Sequence, residues 1–253
     1  MQRQKKHSLQ KNKLPVHIAF IIDGNGRWAT KRGLPRSVGH SYGVNAVANT
    51  INNCIELGIK YMSFYTFSTE NWKRPKEEID TIFTLLRDYL NKDAKEYENK
   101  NIKLITSGDL QKLPTDLQKL IEDVKQKTIN NTEFVVNIAL NYGGRDEIIK
   151  AVNEIIETKV KSVDKEVFKN YLYTKDLPDP DFIIRTSGEF RTSNFMPYQA
   201  VYAEWYFPKT LWPDFDQKQL YKALKHFEKR DRRFGSIVNK EKKWNNEFLQ
   251  VQY

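Results

Sequence analysis

The stretch His17-Ile18-Ala19-Phe20-Ile21-Ile22-Asp23-Gly24-Asn25-Gly26-Arg27-Trp28 decides the fold. Ile18 to Ile22 are five consecutive apolar residues, the pattern of a short strand buried on both faces. The run ends at a carboxylate, Asp23. A loop with two glycines follows, and glycine lets backbone N–H groups approach a ligand closely. Arg27 adds a planar cationic fork suited to phosphate. An acid, a glycine loop and an arginine at a buried strand's end are the parts of a metal–phosphate site.

Outward from this stretch, strands alternate with helices. Lys31 to Gly39 is a break, because Gly33, Pro35 and Gly39 fit a helix interior badly. A helical pattern runs from Ser41, with Val44, Val47, Ile51 and Ile55 on one face and Gly58 as its stop. Ile59 to Phe67 reads as a second strand, and Lys76 to Lys100 as a long helix striped by Ile79, Ile82, Phe83, Leu86, Tyr89 and Leu90. Ile102 to Thr106, Phe134 to Leu140, Phe182 to Ile184 and Ala200 to Phe207 complete six strands, and helices are expected over 115–130, 145–158, 164–173 and 216–233. The alternation predicts a single α/β domain: a largely parallel six-stranded sheet flanked by helices. Right-handed crossovers bring the strands' C-terminal ends to one edge, where open sheets of this kind bind ligands.

Composition narrows the chemistry. The 253 residues carry 42 Lys and Arg against 32 Asp and Glu, a net charge of +10, which favours anionic partners or a solvated basic surface. One cysteine, Cys54, lies on an apolar helical face and excludes a disulfide framework. No apolar run approaches the roughly 20 residues that span a bilayer. The basic start, Lys5 to Lys13, lacks the apolar core of a secretory signal. These features predict a cytoplasmic protein with a disordered basic tail over 1–14.

Four polar loops converge on the predicted edge: Asp23 to Arg27, Ser68-Thr69-Glu70-Asn71, Asn141-Tyr142-Gly143-Gly144-Arg145 and Arg185-Thr186-Ser187-Gly188-Glu189. Asp23 suits Mg²⁺, which takes one or two carboxylates and completes its shell with water and phosphate. Glu204, inside an otherwise apolar strand, is a candidate second ligand or an outward-facing strand residue. Arg27, Arg36, Arg74, Arg185 and Arg191 sit in or near these loops, enough for two phosphate groups. His40, just before Ser41, is expected at a helix N-terminus, where anions bind readily. Trp28, Trp72 and Phe67 line apolar walls or belong to the core.

Gly24-Asn25-Gly26-Arg27-Trp28-Ala29 also fits a dinucleotide-binding fingerprint. No helix is expected to start at that loop, and no acid follows at the required distance. A nucleic-acid-binding module is the third reading, but lysine is dispersed apart from the last helix, so no nucleic-acid partner is expected.

The loops Asp23 to Ala29, Phe67 to Trp72, Asn141 to Arg145 and Ile184 to Glu189, with Leu211-Trp212-Pro213-Asp214-Phe215, resemble the cis-prenyltransferases, the family of the bacterial undecaprenyl diphosphate synthases. The resemblance covers about residues 14 to 235 and implies a catalytic domain over 15–235 and a C-terminal tail over 236–253. It implies a homodimer that condenses farnesyl diphosphate with successive isopentenyl diphosphates. The product is a long cis-polyprenyl diphosphate, such as the undecaprenyl carrier-lipid precursor for cell-wall synthesis; a shorter product is the alternative. It further implies that Asp23 is the essential acid and binds Mg²⁺, with Glu204 as the other ligand. Gly24, Asn25, Gly26, Arg27, Trp28, Arg36 and His40 would hold the allylic diphosphate. Ser68, Thr69, Glu70, Trp72 and Arg74 would position substrate, and Asn71 would assist proton removal. Arg185, Arg191, Thr192 and Ser193 would bind isopentenyl diphosphate. An apolar tunnel between sheet and helices would take the product, and the basic surface would touch an anionic membrane peripherally. Phe190 departs from members with a polar residue or histidine there. Arg232-Arg233-Phe234-Gly235 resembles the family's C-terminal motif.

Overall fold

The apolar run becomes β1 (His17–Ile21), and all five residues are buried. The computed structural model describes residues 9–232. The remaining strands are β2 (Tyr61–Ser68), β3 (Ile102–Ser107), β4 (Phe134–Tyr142), β5 (Phe182–Arg185) and β6 (Glu204–Tyr206). They form one sheet in the order β3-β4-β2-β1-β5-β6, and every pairing is parallel. β1 lies between β2 and β5, from which the chain builds the sheet outward in opposite directions. Its C-terminal end is therefore the topological switch point, where a crevice opens.

The helices are α1 (Asn25–Thr30), α2 (Arg36–Glu56), α3 (Lys76–Asn99), α4 (Thr115–Lys127), α5 (Gly144–Glu157), α6 (Lys165–Lys169) and α7 (Gln217–Glu228). Their ends follow local chemistry. Asp164 caps α6 through Val167 N (2.8 Å) and Asp216 caps α7 through Gln219 N (2.9 Å). Gly58, just past the end of α2, takes the left-handed conformation that stops a helix (φ 77°). Period-two alternation sorts β1 between two cores. Ile18 and Phe20 pack with Phe64, Trp212 and residues of α2, α3, α4 and α7. Ala19 and Ile21 face a smaller cluster with Tyr65, Tyr142, Phe195 and Met196. Cys54 is fully buried, as its helical position predicts.

Several expectations change. A helix does start at the glycine loop: α1 begins at Asn25, so that objection to a dinucleotide loop falls. α2 begins at Arg36, immediately after Pro35, and His40 lies one turn inside it rather than before it. Gly39 and Gly43 are tolerated there because α1 packs onto them: a Cβ at Gly39 would stand 2.0 Å from the Asn25 carbonyl oxygen. α6 covers five residues of the expected 164–173, β6 three of 200–207, and α7 stops at Glu228. Part of the expected tail is ordered, with Gln10 N donating to Glu228 Oε1 (2.7 Å) and Leu9 and Leu14 packed on the core. Residues 1–8, the segment Arg233-Phe234-Gly235 and the expected tail over 236–253 lie outside the described residues.

Candidate active site

At the C-terminal end of β1, Asp23 N donates to Ile21 O (2.9 Å), turning the chain out of the strand. Gly24 then adopts φ 113°, with Leu211 packed where a side chain would start. The Asp23 backbone oxygen accepts from Trp212 N (3.1 Å) and Thr186 Oγ1 (2.6 Å). Its carboxylate accepts from Arg185 Nη2 on Oδ2 (3.0 Å) and pairs with Arg27 Nη2 on Oδ1 (3.2 Å). Burial works to raise its pKa, but the Arg185 hydrogen bond and the two guanidinium charges outweigh that and hold the carboxyl below its usual range.

Asp23 lines a cavity of about 350 Å³. Its walls include Gly24, Asn25, Gly26, Arg27, Arg36, His40, Ser68, Asn71, Arg74, Arg185, Arg191 and Ser193. Three carboxylates order the cations. Asp23 holds Arg27 and Arg185. Glu189 bridges Arg27 Nη1 (2.8 Å) and Arg191. Glu78, in the first turn of α3, accepts from Arg36 Nε (3.1 Å) and Arg74 Nη1 (3.0 Å) and contacts His40 Nε2 (3.2 Å). Burial lowers the His40 pKa despite Glu78 beside it. Gly26 is glycine for a local reason: a Cβ there would lie 2.5 Å from the Arg36 guanidinium. Arg185 is 3% exposed, and its Nη1 donates to Arg191 O and Ser193 Oγ (both 2.6 Å). Asn71 Oδ1 accepts from Ser68 N (3.1 Å), fixing the turn after β2.

The other expected residues stand elsewhere. Trp28 is buried away from the cavity, donating Nε1 to Asp214 Oδ1 (2.6 Å) beneath the Arg32 guanidinium. Trp72 donates to Asn141 Oδ1 (2.7 Å) and packs edge-on against Phe67 and Phe83. Thr69 bonds Asp146 (3.1 Å) on the wall of a separate cleft. Glu70 accepts from Asn194 Nδ2 (3.1 Å), and Thr192 is not part of the cavity wall. Glu204 does not meet Asp23 within the chain. It begins β6, level with Phe182 and Ile18, whereas Asp23 follows the far end of β1. That is five positions, roughly 16 Å along the strand direction. Glu204 Oε2 pairs instead with Arg230 Nε (3.3 Å).

Tyr65 and Thr66 join the wall unforeseen. β2 slips register against β4 between Tyr65 and Ser68, and such a bulge re-aims side chains without any composition signal. Glu78 was hidden as one acid in a charged first turn. A second, apolar cleft of about 80 Å³ adjoins the site, walled by Val44 and Val47 of α2, Ile82, Leu85, Leu86 and Tyr89 of α3, and Phe64, Ile138 and Leu140 of the sheet. Ile22, Asn25, His40 and Thr66 belong to both walls and form the neck between them.

A family model described as putative undecaprenyl diphosphate synthase matches residues 21–235. The chain belongs to this family of cis-prenyltransferases. Curated isoprenyl transferases resemble it along most of their length. That of Clostridium tetani is 48% identical over 238 residues, 92% of this chain and 93% of the relative. That of Bacillus subtilis is 43% identical over 243 residues, 94% of each. Among solved structures, lavandulyl diphosphate synthase from Lavandula x intermedia, in complex with dimethylallyl diphosphate, superposes with a TM-score of 0.85 at 33% identity, covering 89% of this chain and all of that one. A probable undecaprenyl diphosphate synthase from Campylobacter jejuni gives 0.75 at 37% identity, covering 88% and 99%. This prenyl transferase thus has the parallel α/β fold of its relatives, and the dinucleotide and nucleic-acid readings are set aside.

Proposed function

We propose that the chain condenses isopentenyl diphosphate in cis onto farnesyl diphosphate, to the length of undecaprenyl diphosphate, the carrier-lipid precursor for cell-wall synthesis. The observation that carries this reading is the neck: a cavity walled by five arginines opens directly into an apolar cleft. Such a site fits an anionic head on a hydrocarbon tail.

Arg27, Arg36 and Arg74 hold the allylic diphosphate, and their charges stabilise it as it leaves. Arg185, Arg191 and Ser193 hold the second diphosphate. The allylic C–O bond breaks, the isopentenyl double bond supplies the electrons of the new C–C bond, and a proton passes to the departing diphosphate, with Asn71 assisting. The tail lies against Val44, Val47, Ile82 and Leu86, the start of the product tunnel. Among the described residues no group of three or more His, Cys, Asp or Glu could hold a metal ion. A lone Asp23 beside phosphate-binding arginines suits Mg²⁺, which would draw its other ligands from water and the diphosphate and help neutralise the leaving charge.

We place the enzyme in the cytoplasm, as a homodimer with peripheral contact to anionic membrane. The net charge of +10 supports the membrane contact. Ile149, Val152 and Ile156, exposed at i, i+3 and i+7 of α5, offer an apolar face to a second copy. No helix among the described residues is long and apolar enough to cross a membrane.

The test is Mg²⁺-dependent incorporation of labelled isopentenyl units onto farnesyl diphosphate, with product length read by chromatography. Asp23→Ala is expected to lower kcat by roughly 10²–10³-fold, the scale of losing one placed electrostatic group. A wild type without incorporation, or an Asp23→Ala variant of full activity, refutes the reading.

A further inference from the structure

Residues 191–196 form an unusual turn. Ser193, Asn194 and Met196 all have positive φ (48°, 63° and 49°), and none is glycine. Side chains disfavour that region, so the surrounding structure must hold the turn in place. From one side Arg185 Nη1 donates to Arg191 O and Ser193 Oγ, and Tyr65 OH donates to Ser193 O (3.3 Å). From beneath, Phe195 stacks on Tyr65, with ring centroids 4.5 Å apart.

Asn194 makes the remaining connections. Its backbone oxygen accepts from Gly144 N (2.8 Å) and its Oδ1 from Arg145 N (2.9 Å). Its Nδ2 donates to Glu70 Oε1 (3.1 Å). The turn therefore rests on the first turn of α5 and is tied to the loop after β2. The glycine pair makes this approach possible. A Cβ on Gly143 would stand 2.9 Å from Asn194 Nδ2, and one on Gly144 would stand 2.0 Å from Pro197 Cδ and 3.0 Å from Asn194 O. The Asn141-Tyr142-Gly143-Gly144-Arg145 motif thus acts here as a seat for a neighbouring turn. Asn is also the residue type, after glycine, that best tolerates a left-handed backbone.

We infer that Asn194 is a positioning residue for the second diphosphate. It locks the turn that presents Arg191 and Ser193 onto the start of α5, and ties that turn to Glu70 in the loop after β2. Asn194 is absent from the cavity wall, so it acts through Arg191 and Ser193. The inference rests on the proposed substrate pair.

The test is steady-state kinetics of Asn194→Gly and Asn194→Asp beside the wild type. Asn194→Gly keeps the left-handed backbone without strain and removes both side-chain bonds. Its KM for isopentenyl diphosphate is expected to rise about tenfold or more, the weight of one or two hydrogen bonds, while its KM for farnesyl diphosphate stays within about twofold. Asn194→Asp keeps the acceptor for Arg145 N but sets a carboxylate against Glu70, so its KM for isopentenyl diphosphate is expected to rise as well, and an unchanged value overturns the inference. An unchanged KM for isopentenyl diphosphate in Asn194→Gly overturns the inference. A parallel rise in both KM values with a fallen melting temperature assigns a merely structural role and overturns it too. A wild type that incorporates no isopentenyl units overturns the substrate reading, and this inference with it. An active wild type beside an unaffected glycine variant overturns the inference alone.

Discussion

Gly26 and Arg36 show how single positions set this site. The sequence marks both as phosphate-site residues. The fold adds that the Arg36 guanidinium occupies the space over Gly26 while Glu78 holds its other side. Gly26→Ala would displace a flexible side-chain end, so stability is expected to change little. The charge-assisted contact to the allylic diphosphate is then weakened, and KM for farnesyl diphosphate is expected to rise about tenfold in a steady-state assay. Unchanged kinetics would mean that Arg36 contributes nothing to that contact. Thirteen of the expected site residues line the main cavity, because acids, glycines and arginines just after strands can be seen in a sequence. Trp28 and Trp72 do not line that cavity, and an indole beside a site has the same composition signal whether it faces the ligand or the core. Each is turned by one hydrogen bond, to Asp214 and to Asn141.

Elements constrain the site through close approach. α1 and α2 meet at Gly39, where a Cβ would press on the backbone oxygen of Asn25, an atom that cannot rotate away. Gly39→Ala is therefore expected to cost about 1–3 kcal/mol by overpacking. Thermal denaturation checks it, at roughly 2–4 °C per kcal/mol for a domain of this size. A melting point at or above the wild type would contradict the packing. The sequence correctly gave six strands and the long α3, since those patterns persist over many residues. It erred at α1 and β6, six and three residues long, where neighbouring segments override local propensity.

Across the whole molecule a buried polar chain crosses the sheet. His17 Nδ1 meets Pro178 O (2.7 Å) and Nε2 meets Ser63 Oγ (2.9 Å). Asn137 Nδ2 donates to Ser63 (3.0 Å), and Ser107 Oγ donates to Asn137 Oδ1 (3.0 Å). Burial lowers the His17 pKa from 6.5 to about 4. The unfolded chain then binds the proton more readily than the folded one, so stability is full above pH 6.5 and falls as pH drops toward 4. Urea unfolding is expected to lose about 2 kcal/mol between pH 7 and pH 5 from this group, a loss absent in His17→Gln. A pH-independent difference between the two proteins would refute it. At the same scale, the fraction bound to anionic vesicles should fall as salt rises, and the mass in solution should be that of two chains. Binding that ignores salt argues against an electrostatic membrane contact.

The sequence by itself determined that β1 is central, that Asp23 ends it, and that arginine-bearing polar loops share an edge. Those follow from hydrophobic periodicity and residue type, which are local. Only the tertiary structure decided which of those residues meet. Strand register placed Glu204 about five positions from Asp23, and a bulge turned Tyr65 and Thr66 into the cavity. The approach of distant segments made Glu78 an anchor for Arg36, Arg74 and His40, and Asn194 a lock on a strained turn. Register, bulges and long-range hydrogen bonds depend on residues far apart in the chain, and no local pattern encodes them.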